Sequence, residues 1–252
     1  MRTLAVIPAR LGASRLPRKP LRLLAGQPLV IRVWQRVQSM ALADRCVIAT
    51  DSDEVAAAAR PFGADVVLTA ARHPSGTDRV AEVAARPEFR DFDAIVNVQG
   101  DEPFVAESAV QGAVSQVTSG NFALGTAAAK ARATILDEPD VVKVVAADDG
   151  RAMYFSRAAI PFLRDAADAL LRSEHVWQHI GVYAYARDAL ARWVALPPHP
   201  LELIERLEQL RPLAAGLAMG VALVNEAPRP GIDTDADLVR ANADWPDLEG
   251  RL

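Results

Sequence analysis

The chain has 252 residues, 51% hydrophobic and 24% charged, with a net charge of −4; that is ordinary globular composition, enough for one large domain or two modest ones. The acidity argues against a general nucleic-acid binder, and the longest apolar stretch, LAAGLAMGVALV (213–224), is too short for membrane insertion. MRTLAVIPAR does not read as a secretory signal, so a cytoplasmic protein is expected, and the single cysteine, Cys46, excludes an internal disulfide or a cysteine-based zinc cluster.

TLAVIPA (3–9) reads as a strand and PLVIRVWQRVQSM (28–40) as a helix with apolar residues at helical spacing. RCVIAT (45–50) is a strand that would bury Cys46, and SDEVAAAARPFG (52–63) a helix ended by Pro-Phe-Gly. DVVLT (65–69), TDRVAEVAAR (77–86), DAIVNVQ (93–99) and ESAVQGAVSQVTSG (107–120) continue as strand, helix, strand, helix. Such alternation predicts an α/β fold with βαβ units: a Rossmann-like, mostly parallel sheet flanked by helices. Its ligands lie beyond the carboxyl ends of the strands, so residues 8–20, 50–53, 70–77 and 99–103 are expected to face one crevice.

The second half is less regular. Strands are expected at 123–130, 140–147, 152–156, 179–186 and 217–227, and helices at 188–196, 200–216 and 235–245. Residues 1–122 with about 217–252 would form the α/β domain, and about 123–216 a second, mixed α/β lobe.

The stretch IPARLGASRLPRKPL (7–21) sets Arg10, Arg15, Arg18 and Lys19 directly after the first strand. Residues 1–43 hold eight cations and no acid, a local positive region that suits a small anionic ligand. Neither a Walker loop nor GxGxxG is present, so phosphate would be gripped by side chains. NVQGDEP (97–103) brings Asp101 to the crevice mouth, where a carboxylate suits Mg²⁺, although a plain acidic turn would read the same way. In RPGIDTDAD (229–237), Thr234 or Asp235 can cap the next helix; capping needs only one residue and leaves Asp233 for another task. HPSGTDR (73–79) places Ser75, Gly76 and Thr77 at a helix start, which can hold an anion or simply be capped. His175 and His179 are spaced for a structural or substrate contact rather than zinc, Arg157 ends a strand, and Glu208 and Gln209 read as part of a solvated helix face.

In order, IPAR…SRLPxKPL, ATD, HxSGTDR, NVQGDEP, VKVV, YFSRAxIP, HIGVYAY, PLExxExLEQLR and GIDTxxDL resemble the 3-deoxy-manno-octulosonate cytidylyltransferase family from Ile7 to about Leu238. The resemblance implies a nucleotidyltransferase-type fold and an enzyme that joins CTP to the sugar acid Kdo, giving CMP-Kdo and pyrophosphate for lipopolysaccharide synthesis. It implies Mg²⁺ held by Asp101 and Asp233, and triphosphate held by Arg10 and Lys19 with Arg15 in support. Ser75, Gly76, Thr77 and Gln99 would surround the nucleoside. Arg157, His179, Tyr183, Glu208 and Gln209 would form the sugar-acid pocket, in a lobe that closes over the sugar and builds a homodimer. Departures from the pattern are Arg18 at a family glycine, Arg72 and Pro74 around His73, and Gln178, Ala184 and Leu203 near the sugar-pocket motifs.

Three other readings compete. Asp51-Ser52-Asp53 superficially fits the metal motif of a nucleotide-sugar glycosyltransferase. The acceptor of a cytidylyltransferase could instead be sialic acid or 8-amino-Kdo. A nucleotide-binding module without turnover is the third.

Overall fold

The computed structural model describes residues 1–12, 15–225 and 227–248. Ala13 and Ser14 of the basic loop, and Glu226 in the strand expected over 217–227, lie outside the described residues. The chain forms two compact units, Met1–Glu107 with Arg229–Leu252, and Ser108–Pro228.

In the first unit β1 (Thr3–Ala9) leads through a two-residue hairpin, β2 (Leu23–Leu24) and β3 (Gln27–Pro28), into α1 (Leu29–Ser39). Then follow β4 (Arg45–Thr50), α2 (Asp53–Ala59), β5 (Asp65–Leu68), α3 (Gly76–Ala85) and β6 (Ala94–Asn97). The strands run in the order β6-β1-β4-β5, all parallel, as the alternation predicts. Continuous apolar runs form these strands because helices cover both faces of such a sheet. Leu4, Val6, Ile7, Val47 and Ile48 have no exposed surface, and Cys46 is buried among them. Burial, with Asp65 nearby, pushes the Cys46 thiol up to about 12, so it is a packing group and not a nucleophile.

The second unit contains α4 (Glu107–Thr118), β7 (Leu124–Lys130), β8 (Lys143–Ala146), β9 (Ala152–Ser156), α5 (Ala169–Glu174) and β10 (Trp177–Ala186). After these come α6 (Arg187–Ala195), α7 (Pro200–Glu205), α8 (Leu210–Ala214) and β11 (Met219–Val224). β10 pairs antiparallel with β7 and β8, β8 pairs antiparallel with β9, and β11 lies parallel to β7. The boundaries expected at 122 and 217 therefore shift, since α4 and β11 both belong to this unit. The reason is contact: β11 pairs with β7 over six residues, and α4 lies so close to β7 that a Cβ at Gly125 would run into the Ala113 carbonyl.

The helix expected over 200–216 is two short helices. Arg206 adopts a left-handed conformation at φ 56°, and the Leu207 amide closes the end of α7 on the Glu202 carbonyl. Pro212 then falls in the first turn of α8, where its missing N–H is tolerated. Back in the first unit, α9 (Asp235–Leu248) ends the chain's described part, and Thr234 caps it.

Candidate functional site

β1 and β6 run side by side with Val6 opposite Asn97, so their carboxyl ends deliver two loops to one place. A cavity of about 320 Å³ opens there, lined by Arg10, Arg15, Lys19, Gln99 and Asp101 from those loops. Ser75 and Gly76 line it at the start of α3, and Asp233 lines it from the segment before α9. Thr77, expected with them, is buried in the first turn of α3 and does not line the cavity.

At its centre the Lys19 ammonium donates to Asp101 Oδ2 at 2.7 Å and to Asp233 Oδ1 at 2.6 Å. Arg15 Nη2 donates to Asp233 Oδ2 at 3.0 Å. Residues 19, 101 and 233 are far apart in sequence, and apolar packing brings them together. Leu16 and Ile232, three residues before Lys19 and one before Asp233, are buried in one cluster with Leu24, Leu29, Leu238 and Trp245. The Ile232 amide also donates to the Asp101 carbonyl at 2.9 Å. Burial alone would lower the Lys19 pKa, but Asp101 and Asp233 outweigh it and leave it raised, so the ammonium stays charged. Arg10 is exposed, with no hydrogen bond or ion pair to the described residues, which leaves its whole guanidinium for an anion.

The two carboxylates meeting on one cation are a hard-oxygen donor pair. Mg²⁺ commonly takes one or two carboxylates and completes its shell with water and phosphate oxygens, so the residues fit that ion. No cluster of three or more potential ligands occurs among the described residues, so the remaining oxygens would have to come from phosphate and water. Asp233 is available because Thr234 and Asp237 form the cap of α9: the Asp237 amide donates to Thr234 Oγ1 at 3.2 Å, and the Thr234 amide to Asp237 Oδ2 at 2.9 Å. Asp235, the other capping candidate, pairs with Arg22 at 2.6 Å.

Two backbone details shape the loops. A Cβ on Gly100 would sit 2.6 Å from the Pro8 carbonyl oxygen, so only glycine lets the 98–103 loop lie against the end of β1. Gly100→Ala is expected to destabilise by about 1–3 kcal/mol, read by urea unfolding; an unchanged midpoint would contradict the close approach. Arg18 has φ 58°, the left-handed region where glycine is unstrained, which is why the family pattern carries glycine there. Its guanidinium pairs with Glu54 on the surface and does not line the cavity. Arg18→Gly is expected to keep turnover and raise stability by up to about 1 kcal/mol, strain relief exceeding the lost exposed ion pair. A fall in turnover would show that Arg18 acts on the ligand.

Several groups were not legible as site features. Arg79, 3% exposed, lines the cavity wall; it donates to Thr69 Oγ1 and lies 3.5 Å from Asp51 Oδ2. Asp51 is thus turned to an arginine, Ser52 caps α2, and Asp53 is exposed in its first turn, so the Asp51/Asp53 metal motif is not assembled. Glu102 has its carboxyl raised to about 8 by burial and by the charges of Asp101 and Asp233. His73, on the cavity wall, meets Glu82 at 2.5 Å. Burial opposes ionisation of Glu82, yet bonds from Arg86, His73 and the Ala70 amide bring it down to about 2. A depressed carboxylate stabilises fully above its ordinary pKa and loses that contribution as pH falls toward the folded value. Glu82→Gln should therefore be less stable than wild type at pH 7, with the gap closing near pH 2 in urea titrations; an equal gap at both pH values would contradict this.

In the second unit, β10 carries His179 and Tyr183, with ring centroids 5.5 Å apart. A register shift between Ile180 and Tyr183 is held by Thr126, whose hydroxyl donates to the Val182 carbonyl at 2.8 Å and contacts His179 Nε2 at 2.9 Å. Burial lowers His179 to about 3, so the imidazole is neutral and donates from Nε2 to Thr126. Tyr183 is pushed well above its usual value by burial, with Tyr185 and Glu208 adding to it. His175 caps α5 and is exposed, so the two histidines do not form a pair. Glu208 and Gln209 are not on a solvated helix face; they lie in the turn between α7 and α8, with Gln209 3% exposed. Arg157, just past β9, is tied to backbone: Nε donates to the Glu205 carbonyl at 2.8 Å and Nη1 to the Pro139 carbonyl at 2.9 Å.

Among the described residues, no helix is long and apolar enough to cross a membrane. A cytidylyltransferase family model matches residues 4–220. A 3-deoxy-manno-octulosonate cytidylyltransferase of Gemmatimonas aurantiaca is 65% identical over 245 residues, covering 97% of this chain and 95% of that relative. The enzyme of the same name from Chromohalobacter salexigens is 48% identical over 246 residues, covering 93% of each. The structure of a CMP:2-keto-3-deoxy-manno-octonic acid synthetase complexed with CTP superposes with a TM-score of 0.90 at 35% identity, covering 98% of this chain and 99% of that one. With a matched model spanning most of the sequence and relatives aligned nearly end to end, the chain belongs to the cytidylyltransferase family, among the 3-deoxy-manno-octulosonate cytidylyltransferases.

Proposed function

We propose that the enzyme transfers CMP from CTP to 3-deoxy-manno-octulosonate, forming CMP-Kdo and pyrophosphate. The observation that carries this reading is the Lys19 ammonium bridging Asp101 and Asp233 in a cavity that also presents Arg10 and Arg15. The relatives' names supply the nucleotide and the sugar acid.

The reaction joins two anions, so repulsion is the main barrier. Arg10, Arg15 and Lys19 neutralise the triphosphate and hold it while the 2-hydroxyl of Kdo attacks the α-phosphorus in line and pyrophosphate departs. Asp101 and Asp233 would hold Mg²⁺, which would supply neutralisation of phosphate charge and acidification of the attacking hydroxyl. Ser75, Gly76 and Gln99 bound the space for the nucleoside. In the second unit, His179 stays neutral and suits a sugar hydroxyl, while Arg157 supplies the cation for the sugar carboxylate, and the family resemblance adds Tyr183, Glu208 and Gln209 to the same pocket. The same reading makes the enzyme cytoplasmic, a supplier of activated Kdo for lipopolysaccharide, and a homodimer through its second unit. The exposed side chains of Met153, Leu203, Ile204 and Leu223, and a groove of about 450 Å³ flanked by Leu201, Leu210 and Leu213, support that last point.

The test is pyrophosphate release across four nucleoside triphosphates and a panel of sugar acids, with and without Mg²⁺. Release is expected with CTP, Kdo and Mg²⁺ together. Preference for sialic acid or 8-amino-Kdo would change the acceptor, and no CTP-dependent release with any sugar acid would overturn the reading.

A further inference from the structure

Lys143 is a charged side chain with no exposed surface, at the first position of β8. Its ammonium donates to three backbone carbonyls: Glu138 at 2.9 Å, Val141 at 2.7 Å and Arg157 at 2.6 Å. All three N–H groups are thereby used, and no carboxylate is among the acceptors. Burial, with the neighbouring Arg157 charge, lowers the Lys143 pKa. An apolar residue would fill the same strand position without this desolvation penalty, so the ammonium has a task beyond packing.

That task is visible in what the three carbonyls belong to. One is Arg157's own. The other two bracket Pro139, whose carbonyl accepts from Arg157 Nη1. On the opposite side, Glu205 accepts from Ser156 Oγ at 2.7 Å and from the Arg157 amide at 2.9 Å, and its own carbonyl accepts from Arg157 Nε. Arg157 is thus fixed at its amide, its carbonyl, Nε and one hydrogen of Nη1. The Nη2 amino group lies outside this network, with two donors for a ligand oxygen. His179 is neutral, so Arg157 is the one cation among the residues that the family resemblance places at the sugar-acid pocket.

We infer that Lys143 and Glu205 are positioning residues that hold Arg157 rigid so that its Nη2 edge receives the carboxylate of the acceptor sugar acid. This rests on the assignment of Arg157 to the Kdo site under the proposed function. Lys143 acts through Arg157 and touches no substrate. A fixed guanidinium binds a carboxylate without first losing its rotamer freedom, so loosening it weakens acceptor binding and leaves the nucleotide unaffected.

The test compares Lys143→Met, Glu205→Gln and Arg157→Ala by steady-state kinetics with CTP and Kdo varied separately. Lys143→Met should raise KM for Kdo about tenfold or more, with KM for CTP within about twofold of wild type. Glu205→Gln should move KM for Kdo in the same direction by less, and it carries the test if Lys143→Met does not fold. A merely structural role would lower the active fraction and kcat while leaving both KM values in place; that result overturns the inference. If Arg157→Ala raises KM for Kdo and neither other variant does, the positioning role fails and the Kdo-site assignment stands. If Arg157→Ala itself leaves KM for Kdo unchanged, the assignment fails and the inference falls with it.

Discussion

Asp101→Asn is expected to lower turnover by at least about 100-fold while leaving the fold intact. The substitution keeps shape and one acceptor oxygen, and Lys19 retains Asp233 at 2.6 Å, so unfolding midpoints should move little. What is lost is a full negative charge from the donor pair. A metal held by one carboxylate in place of two binds more weakly and neutralises developing phosphate charge less well. Asp233→Asn should behave similarly, with an added loss of the Arg15 contact. Raising the Mg²⁺ concentration should recover part of the rate in either variant. Full turnover at ordinary Mg²⁺ in both variants would remove these residues from the chemistry.

Lys19→Met should raise KM for CTP by about 10–100-fold and lower kcat as well. The lysine does two things at once: it supplies a cation for the triphosphate, and it balances two carboxylates that otherwise repel each other. With 14% of its side chain exposed, it is also the most desolvated charge of the trio. Without it, Asp101 loses its ion pair, Asp233 keeps only Arg15, and Glu102 loses the charge that favours its ionisation. CTP titration by calorimetry, with turnover measured on the same preparation, separates the two effects. An unchanged affinity would show that Arg10 and Arg15 suffice to grip the triphosphate.

Much of the first unit was readable from residue pattern. The Val/Ile runs at 3–9, 45–50 and 93–99 became adjacent parallel strands because a sheet covered on both faces demands continuous apolar sequence. The crevice rule then put Lys19, Gln99 and Asp101 in one cavity. Asp233 was left over once one neighbour capped the next helix, but its metal-ligand role came from motif order alone.

Other features depend on tertiary context. Arg18 reads as one more member of a basic cluster, and only its φ of 58° explains why glycine is the family's choice. Leucines and glutamates at helical spacing hide the break at Arg206; Pro212 was the available signal, because proline in a continuing helix would clash with the carbonyl four residues back. Lys143 falls in the Val-rich strand expected over 140–147, and its ammonium reaches loop carbonyls that a strand pattern does not reveal. Arg79 is similar: the helix periodicity of α3 places it with Val80 and Val83 on the buried side, but its partners Thr69 and Asp51 come from the ends of other strands.

Hydrogen–deuterium exchange of the full chain with and without CTP and Mg²⁺ tests the location of the nucleotide site most directly. CTP is expected to slow exchange in peptides covering 8–20, 73–79, 98–103 and 231–235, the segments that line the cavity holding Lys19, Asp101 and Asp233. Protection confined to other segments, or none at saturating CTP, would contradict the site.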